Sequence, residues 1–387
     1  MKATKTLLAI AIGATATAAT LGANAYETEY GTVYADVKIR YESNDTEGGA
    51  DTATAVTADA AIGFETKDYE GFKVLVEQEV VAAIVDEYST PGGGGDTDYD
   101  VVADPDGNEW NRAQVSYSKD GVGAVIGRQR IILDNARFVG NVGWRANEQT
   151  YDAATFTYSK DDVTLHYSYI DQVNGILGTD QDMTNHLLNI GYKVGSGKVT
   201  GYAYLLEDDD SEATTDTFGV RYAGSSDFEG TKVIYSAEFA TQTAEAGSSE
   251  ADATYFALEG GAVVKGVTLA LGNETLGSDD GNYGFQTPLA TKHAFNGWAD
   301  KFLGTPTSGL SDTYVKAAGN VKGIKLVGFY HMFDAVEGSA DLGSELDLLA
   351  VKKINDQYTV GAKYANYSKG DTGADTSKFW LWAQAKF

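Results

Sequence analysis

The sequence predicts an all-β fold, a transmembrane antiparallel β-barrel of about eighteen strands with short periplasmic turns and long extracellular loops. Three observations carry that expectation. Apolar and polar residues alternate with a period of two along most of the chain. The connections between these runs are short and long by turns. An export-type N-terminus is followed by no apolar run long enough for a membrane helix.

At the N-terminus, Lys2 and Lys5 precede an apolar run over 7–21, and Ala23, Asn24 and Ala25 supply the small-residue order of a cleavage site. Residues 1–25 therefore read as a cleaved secretory signal peptide and 26–387 as a single barrel domain. Beyond it the longest apolar run is 80–85, so membrane residence would rest on strands. The chain has no cysteine, which leaves stability to backbone pairing and packing. A net charge of −27 argues against nucleic acid as a partner, and it suits acidic loops in water around an uncharged lipid-facing band.

In order along the chain, Val33, Ala35, Val37, Ile39 and Tyr41 share one face, and Tyr34, Asp36, Lys38 and Arg40 the other. A second strand carries Val56, Ala58, Ala60, Ile62 and Phe64 on its apolar side; a third, over 72–86, has Lys73, Glu77 and Glu79 on one parity. Short turns are expected near 67–71, 119–121, 160–162, 195–197, 225–230, 264–266, 321–323 and 354–357. Longer loops are expected near 43–53, 87–108, 131–147, 172–183, 208–213, 242–251, 275–311, 335–344 and 369–375. Pro91, Pro105, Pro288 and Pro306 all fall in those loops, as residues that cannot donate to a ladder should. In the last strand Phe379, Leu381, Ala383, Ala385 and Phe387 share a face, and the aromatic terminus resembles the signal by which outer-membrane barrels are assembled. The partners this implies are the barrel assembly machinery through Phe387, outer-membrane lipid and lipopolysaccharide. A soluble sandwich is the competing fold; no linker, charge-block boundary or fixed-length repeat supports it.

The chain has seven arginines, and five of them, Arg112, Arg128, Arg130, Arg137 and Arg145, lie in or just before 127–153. Arg112 shares its parity with Gln114 and Ser116, opposite Ala113 and Val115, and so points inward. Arg128 and Arg130, two apart, are expected to share a face; on the lipid side each would cost about 2–4 kcal/mol near the midplane. The loop 131–147 is too long for a tight hairpin and sets Gly140 and Gly143 beside Phe138, Val139, Val142 and Trp144. It is expected to fold inward and narrow the channel, with Asp134, Asn135, Asn147 and Glu148 placed to pair with or orient the arginines. Against this stands a plain reading as structural arginine–carboxylate pairs at a loop base; the clustering favours a pore constriction, because rings of arginine or lysine select anions.

The run 127–153, GRQRIILDNARFVGNVGWRANEQTYDA, together with 288–303, PLATKHAFNGWADKFL, resembles the outer-membrane barrels that carry an alginate-export-type domain. The resemblance implies an eighteen-stranded channel whose arginine-rich lumen passes an anionic polysaccharide. Arg112, Arg128, Arg130, Arg137 and Arg145 would play that part here. It equally implies general or oligosaccharide porins, so alginate does not follow as the solute. The expected function is passive diffusion of small hydrophilic solutes, anionic or sugar-like, across the outer membrane of a Gram-negative bacterium, as a monomer or homotrimer and with no cofactor or metal. Export of an anionic polysaccharide is the alternative. A barrel-embedded hydrolase is a further one: His166 lies near Ser168 by parity, but no Gly-x-Ser-x-Gly elbow surrounds them.

In the 275–311 loop, Phe295, Trp298, Ala299, Phe302 and Leu303 recur at helical spacing and predict a short amphipathic helix, with Phe295, Trp298 and Phe302 as plug residues or as packing for a neighbouring loop. Residues 104–109 carry oxygen ligands and a glycine but not a full calcium-loop pattern, and read as an acidic turn. Asp208, Asp209 and Asp210 read as a solvated acidic loop, and His166, His186, His293 and His331 show no metal-ligand spacing.

Overall fold

The computed structural model describes residues 25–387; the expected signal peptide lies, but for Ala25, outside the described residues. Eighteen strands form one closed antiparallel barrel. They are β1 (Gly31–Thr46), β2 (Ala53–Thr66), β3 (Phe72–Glu87), β4 (Gly107–Lys119), β5 (Val122–Gln129), β6 (Thr150–Lys160), β7 (Val163–Asn174), β8 (Asp180–Val194) and β9 (Gly197–Glu207). The second half comprises β10 (Thr214–Phe228), β11 (Thr231–Ala246), β12 (Ser249–Val264), β13 (Val267–Leu276), β14 (Leu310–Val321), β15 (Ile324–Asp334), β16 (Asp341–Lys353), β17 (Tyr358–Ser368) and β18 (Thr376–Lys386). Each strand pairs with the next, and β18 returns to β1 with Ala385 opposite Val37 and Trp382 opposite Arg40. Closure leaves no open edge, which is what a sheet in hydrocarbon needs. Phe387 finishes the seam: its N–H donates to the Ala35 carbonyl at 2.8 Å and its carbonyl accepts from Ala35 at 2.9 Å.

The tight turns have a local cause. Asp120-Gly121, Lys265-Gly266 and Lys322-Gly323 each put two successive residues at positive φ (52° and 83°, 50° and 82°, 52° and 79°). Such mirror-image turns match the right-handed twist of paired strands, and glycine second removes most of the strain. At the opposite rim the expected loop at 242–251 is a correction: β11 and β12 stay paired to Ala246 and Ser249, leaving a connection of residues 247–248. The ladder extends over this polar run because its backbone bonds do not depend on apolar side chains.

Alternation sorts the wall. Val74, Val115, Ile126, Leu188, Leu271 and Leu348 are exposed on the outside, whereas Glu77, Asn189, Thr217, Glu274, Glu345 and Lys363 face inward and are buried. Polar lumen residues are buried because loops occupy the lumen. Ile131 and Val139 of the 130–149 connection, and Phe285 and Leu289 of the 277–309 connection, are at most 4% exposed, packed with wall residues Tyr151, Tyr202 and Tyr255. Burying side chains of this size contributes about 1.5–3 kcal/mol each, enough to draw both connections out of water.

Candidate functional site

The site is the place where the two long connections meet inside the barrel. Arg145 of the first is the joint. Its guanidinium reaches Glu42 on β1 (3.0 Å), Asp104 (3.5 Å) and, from the second connection, Asp300 (3.1 Å). Burial works against that charge, but Glu42, Asp104 and Asp300 outweigh it and raise the Arg145 pKa. Asp104 also pairs with Arg40 and accepts the Ala146 N–H at 2.8 Å. Burial pushes its carboxyl up, and Arg40 and Arg145 more than reverse this, holding it at about 2.

Asp300 gathers cations from the other side. Lys378 of β18 donates to it at 3.0 Å, and His293 Nδ1 lies 2.6 Å from its second oxygen. Burial depresses the His293 pKa to about 3, with Asp300 opposing and Lys363 assisting, so the ring is neutral at pH 7, carries its proton on Nδ1 toward Asp300 and accepts from Lys363 Nζ at Nε2 (2.6 Å). Trp144 stacks on His293 with centroids 5.1 Å apart, and the Lys363 ammonium sits 4.1 Å from the Trp144 ring centre and 3.9 Å from that of Trp298. Cation–π contact of this kind strengthens when water is excluded.

Two further groups flank the joint. Arg112 forks onto Glu77 (2.9 and 2.6 Å) and also donates to Tyr34. Arg130 reaches Glu148 (Nε contacts of 2.5 and 2.7 Å) and Glu77 (3.5 Å), and Asn111 bridges the same two carboxylates. A bulge at Asn111 makes this possible, because Glu77 opposes Arg112 while Gln78 opposes Trp110. Arg137 is buried against Glu274 (2.6 Å) and Asn296 (2.8 Å), with the Phe295 ring centre 4.8 Å away.

The other sequence-derived residues divide. Arg128 does not join the cluster: it shares the parity of Ile126, opposes Ala113 and Asp152, and forks onto Asp152 at 2.8 and 2.9 Å. The expected common face with Arg130 fails because β5 ends at Gln129, beyond which period-two alternation no longer sets direction. Asp134 meets no arginine; it accepts from Asn189 at 2.7 Å and lies 3.8 Å from Lys198. The helix expected at 295–303 is also corrected. The 277–309 connection holds a short ribbon pairing Ser278–Asp279 with Tyr283–Gly284, and its helical part among the described residues is a 3-10 turn at Lys292–Ala294; Asn296 (54°), Gly297 (85°) and Asp300 (62°) adopt positive φ, which no helix tolerates. Trp298 and Phe302 instead pack on the wall, against Phe329 (5.8 Å) and Phe333 (4.6 Å), while Phe295 stays with Arg137.

The sequence reading missed Arg40, Lys363 and Lys378, wall cations that complete the cluster. Their inward parity was the available signal. His166 Nε2 does lie 2.8 Å from Ser168 Oγ, but Ser168 is fully buried, and among the described residues no carboxylate orients the ring. On the far side of the long connection a cavity of about 280 Å³ is lined by Arg221, Glu238, Glu259, Tyr314 and Lys316, with Arg221–Glu238 at 3.2 Å and Lys316–Glu259 at 3.8 Å.

A closed eighteen-stranded barrel with an apolar exterior, a polar lumen and inward-folded loops defines an outer-membrane protein of the porin class. The family model described as "Alginate export" matches residues 35–271, more than half of the chain, and the protein belongs to that family. Comparison with curated sequences finds no significant match. Among solved structures the fold is similar to Acinetobacter baumannii OccAB4 (TM-score 0.73, 12% identity, 93% of this chain and 98% of that one). It is also similar to Pseudomonas aeruginosa OccK9 (OpdG) (0.72, 13%, 93% and 98%) and to P. aeruginosa OpdK with vanillate (0.71, 11%, 92% and 98%).

Proposed function

We propose that the protein is a passive diffusion channel for small hydrophilic solutes, foremost small anions such as carboxylates, and that the 130–149 and 277–309 connections form its constriction. The observation that carries this reading is the Arg145–Asp300 joint, which holds both connections inside the lumen on buried ion pairs. Arg137 and Arg145 act first by fixing these loops, and Arg112 is spent on the wall carboxylate Glu77. The cationic surface left for a solute is narrower than a five-residue ring. Arg130 keeps 36% of its side chain exposed, and Lys292, its pKa lowered by burial and by Arg137, has no acidic partner among the described residues. The structurally similar OpdK was solved with vanillate, which makes a small aromatic carboxylate a suitable first probe.

Export of a bulky polysaccharide is less favoured, because it would require both pinned loops to leave the lumen. Reversal potentials of the purified protein in planar bilayers under a salt gradient test the proposal. Discrete channels are expected, with a shift toward cations in Arg130→Ala. Absence of channels overturns the porin function; an unchanged reversal potential overturns the role of Arg130.

A further inference from the structure

Glu79 on β3 stands directly opposite Glu109, the third residue of β4. Carboxylates so placed have Cβ atoms about 5 Å apart, and like charges in that position repel. Glu79 is 8% exposed and forms no ion pair among the described residues. Its Oε2, Oε1 of Glu109 and Oδ1 of Asn147 are all buried without a hydrogen-bond partner. All three residues border a cavity of about 340 Å³, lined also by residues 105–108 and 176–178.

The nearby cations are committed elsewhere. Arg128 borders the cavity but forks onto Asp152, and Lys38 pairs with Asp59 at 3.4 Å. Two further carboxylates, Asp106 and Asp180, border the cavity, and Asp106 accepts only the Ala83 N–H. A buried carboxylate without compensation is strongly disfavoured, and orphaned buried oxygens call for a partner. Here the convergent groups are acceptors, which a cation would satisfy together.

We propose that Glu79, Glu109 and Asn147 form a divalent-cation site of calcium type, completed by backbone carbonyls of the 105–108 and 176–178 segments. Two carboxylates with neutral oxygens suit a hard cation of flexible coordination. No group of three or more acidic, histidine or cysteine side chains gathers at metal spacing among the described residues, so the site rests on two carboxylates and an amide oxygen. The affinity belongs to the weak extracellular class, about 10⁻⁴–10⁻³ M. Asn147 lies two residues beyond Arg145 and reaches the Gly175 carbonyl at 3.4 Å, so the ion ties the foot of the constriction loop to the wall and to the 175–179 loop. The acidic segment 104–109 is then divided: Asp104 serves the arginine joint, and Glu109 serves the cation.

Calcium titration of the detergent-purified, metal-stripped barrel by equilibrium dialysis tests the site, with Glu79→Gln, Glu109→Gln and the exposed-loop control Asp209→Asn. Heat-modifiable mobility on gels reports that each barrel is folded. About one equivalent is expected in the wild type and in Asp209→Asn and none at this site in either glutamine variant, with calcium raising the unfolding temperature only where it binds. Asn147→Ala, which leaves both carboxylates, is expected to weaken binding several-fold and covers the case in which a glutamine variant misfolds. Equal binding in all variants overturns the proposal. So does absence of binding to the wild type at about 10 mM calcium, well above the expected range; a proton shared between the two carboxylates would give that result.

Discussion

The two inward connections are held by opposite devices. The 130–149 loop docks by its cations: Arg137 enters a wall site at Glu274, and Arg145 one at Glu42. The 277–309 loop docks by backbone and by an anion. The N–H of Trp298 donates to Asp347 (3.1 Å) and that of Ala299 to Glu345 (2.6 Å), while Asp300 accepts from Arg145, Lys378 and His293. A wall carboxylate can therefore hold a loop of either kind, through a guanidinium or through a backbone amide. Only the first kind announces itself as a charge anomaly in the sequence.

The largest effect should come from cutting the joint that both loops share. Arg145→Ala leaves Glu42 and Asp104 buried with less compensation, a loss of about 3–5 kcal/mol for a broken buried pair. Single-channel recordings should then show larger, noisier conductance, with Arg145→Lys intermediate. Gly297→Ala should release the long loop alone. At φ +85° an added Cβ would collide with the Glu345 carboxylate, and the backbone strain amounts to about 1–3 kcal/mol. New proteolytic cleavage within 277–309, with 130–149 still protected, is the expected pattern; cleavage in both would mean that the loops are not separately held.

Acid should loosen the same joint less drastically. The folded His293 pKa of about 3 lies below its ordinary 6.5, so between those values an undocked ring binds a proton that the docked ring refuses. Docking is thus at full strength above pH 6.5 and weakens as pH falls toward 3, and Asp104, at about 2 against 3.8, adds in the same direction at the acid end. Channel noise should rise through that window in the wild type and flatten in His293→Asn. The smallest effect is expected from Arg128→Gln: its partly exposed pair with Asp152 is worth about 0–1 kcal/mol, and reversal potentials should match the wild type, unlike those of Arg130→Gln.

Strands and turns were legible because their causes are local. A period of two marks each face, and an x-Gly pair at positive φ marks a tight turn. The site was legible only in part. Arg112, Arg130, Arg137 and Arg145 stood out by residue type, but Arg145 and Glu42 are 103 positions apart and Arg137 and Glu274 are 137 apart. No pattern within a window of sequence carries such a pairing. The helix expected at 295–303 failed for a related reason. Its apolar spacing is real, but those residues meet different partners: Trp298 and Phe302 pack on β15 at Phe329 and Phe333, while Phe295 covers Arg137 of the other connection.

The sequence by itself determined a closed barrel, its strand directions and which residues face inward, since alternation and backbone pairing follow from neighbours along the chain. Tertiary structure alone decided what the inward charges do. Once the loops enter the lumen and exclude water, each buried charge must find an opposite one wherever closure has placed it. That requirement turned Arg137 and Arg145 into fastenings of the inward loops and Arg112 and Arg128 into pairs within the wall, leaving Arg130 the most exposed of the five.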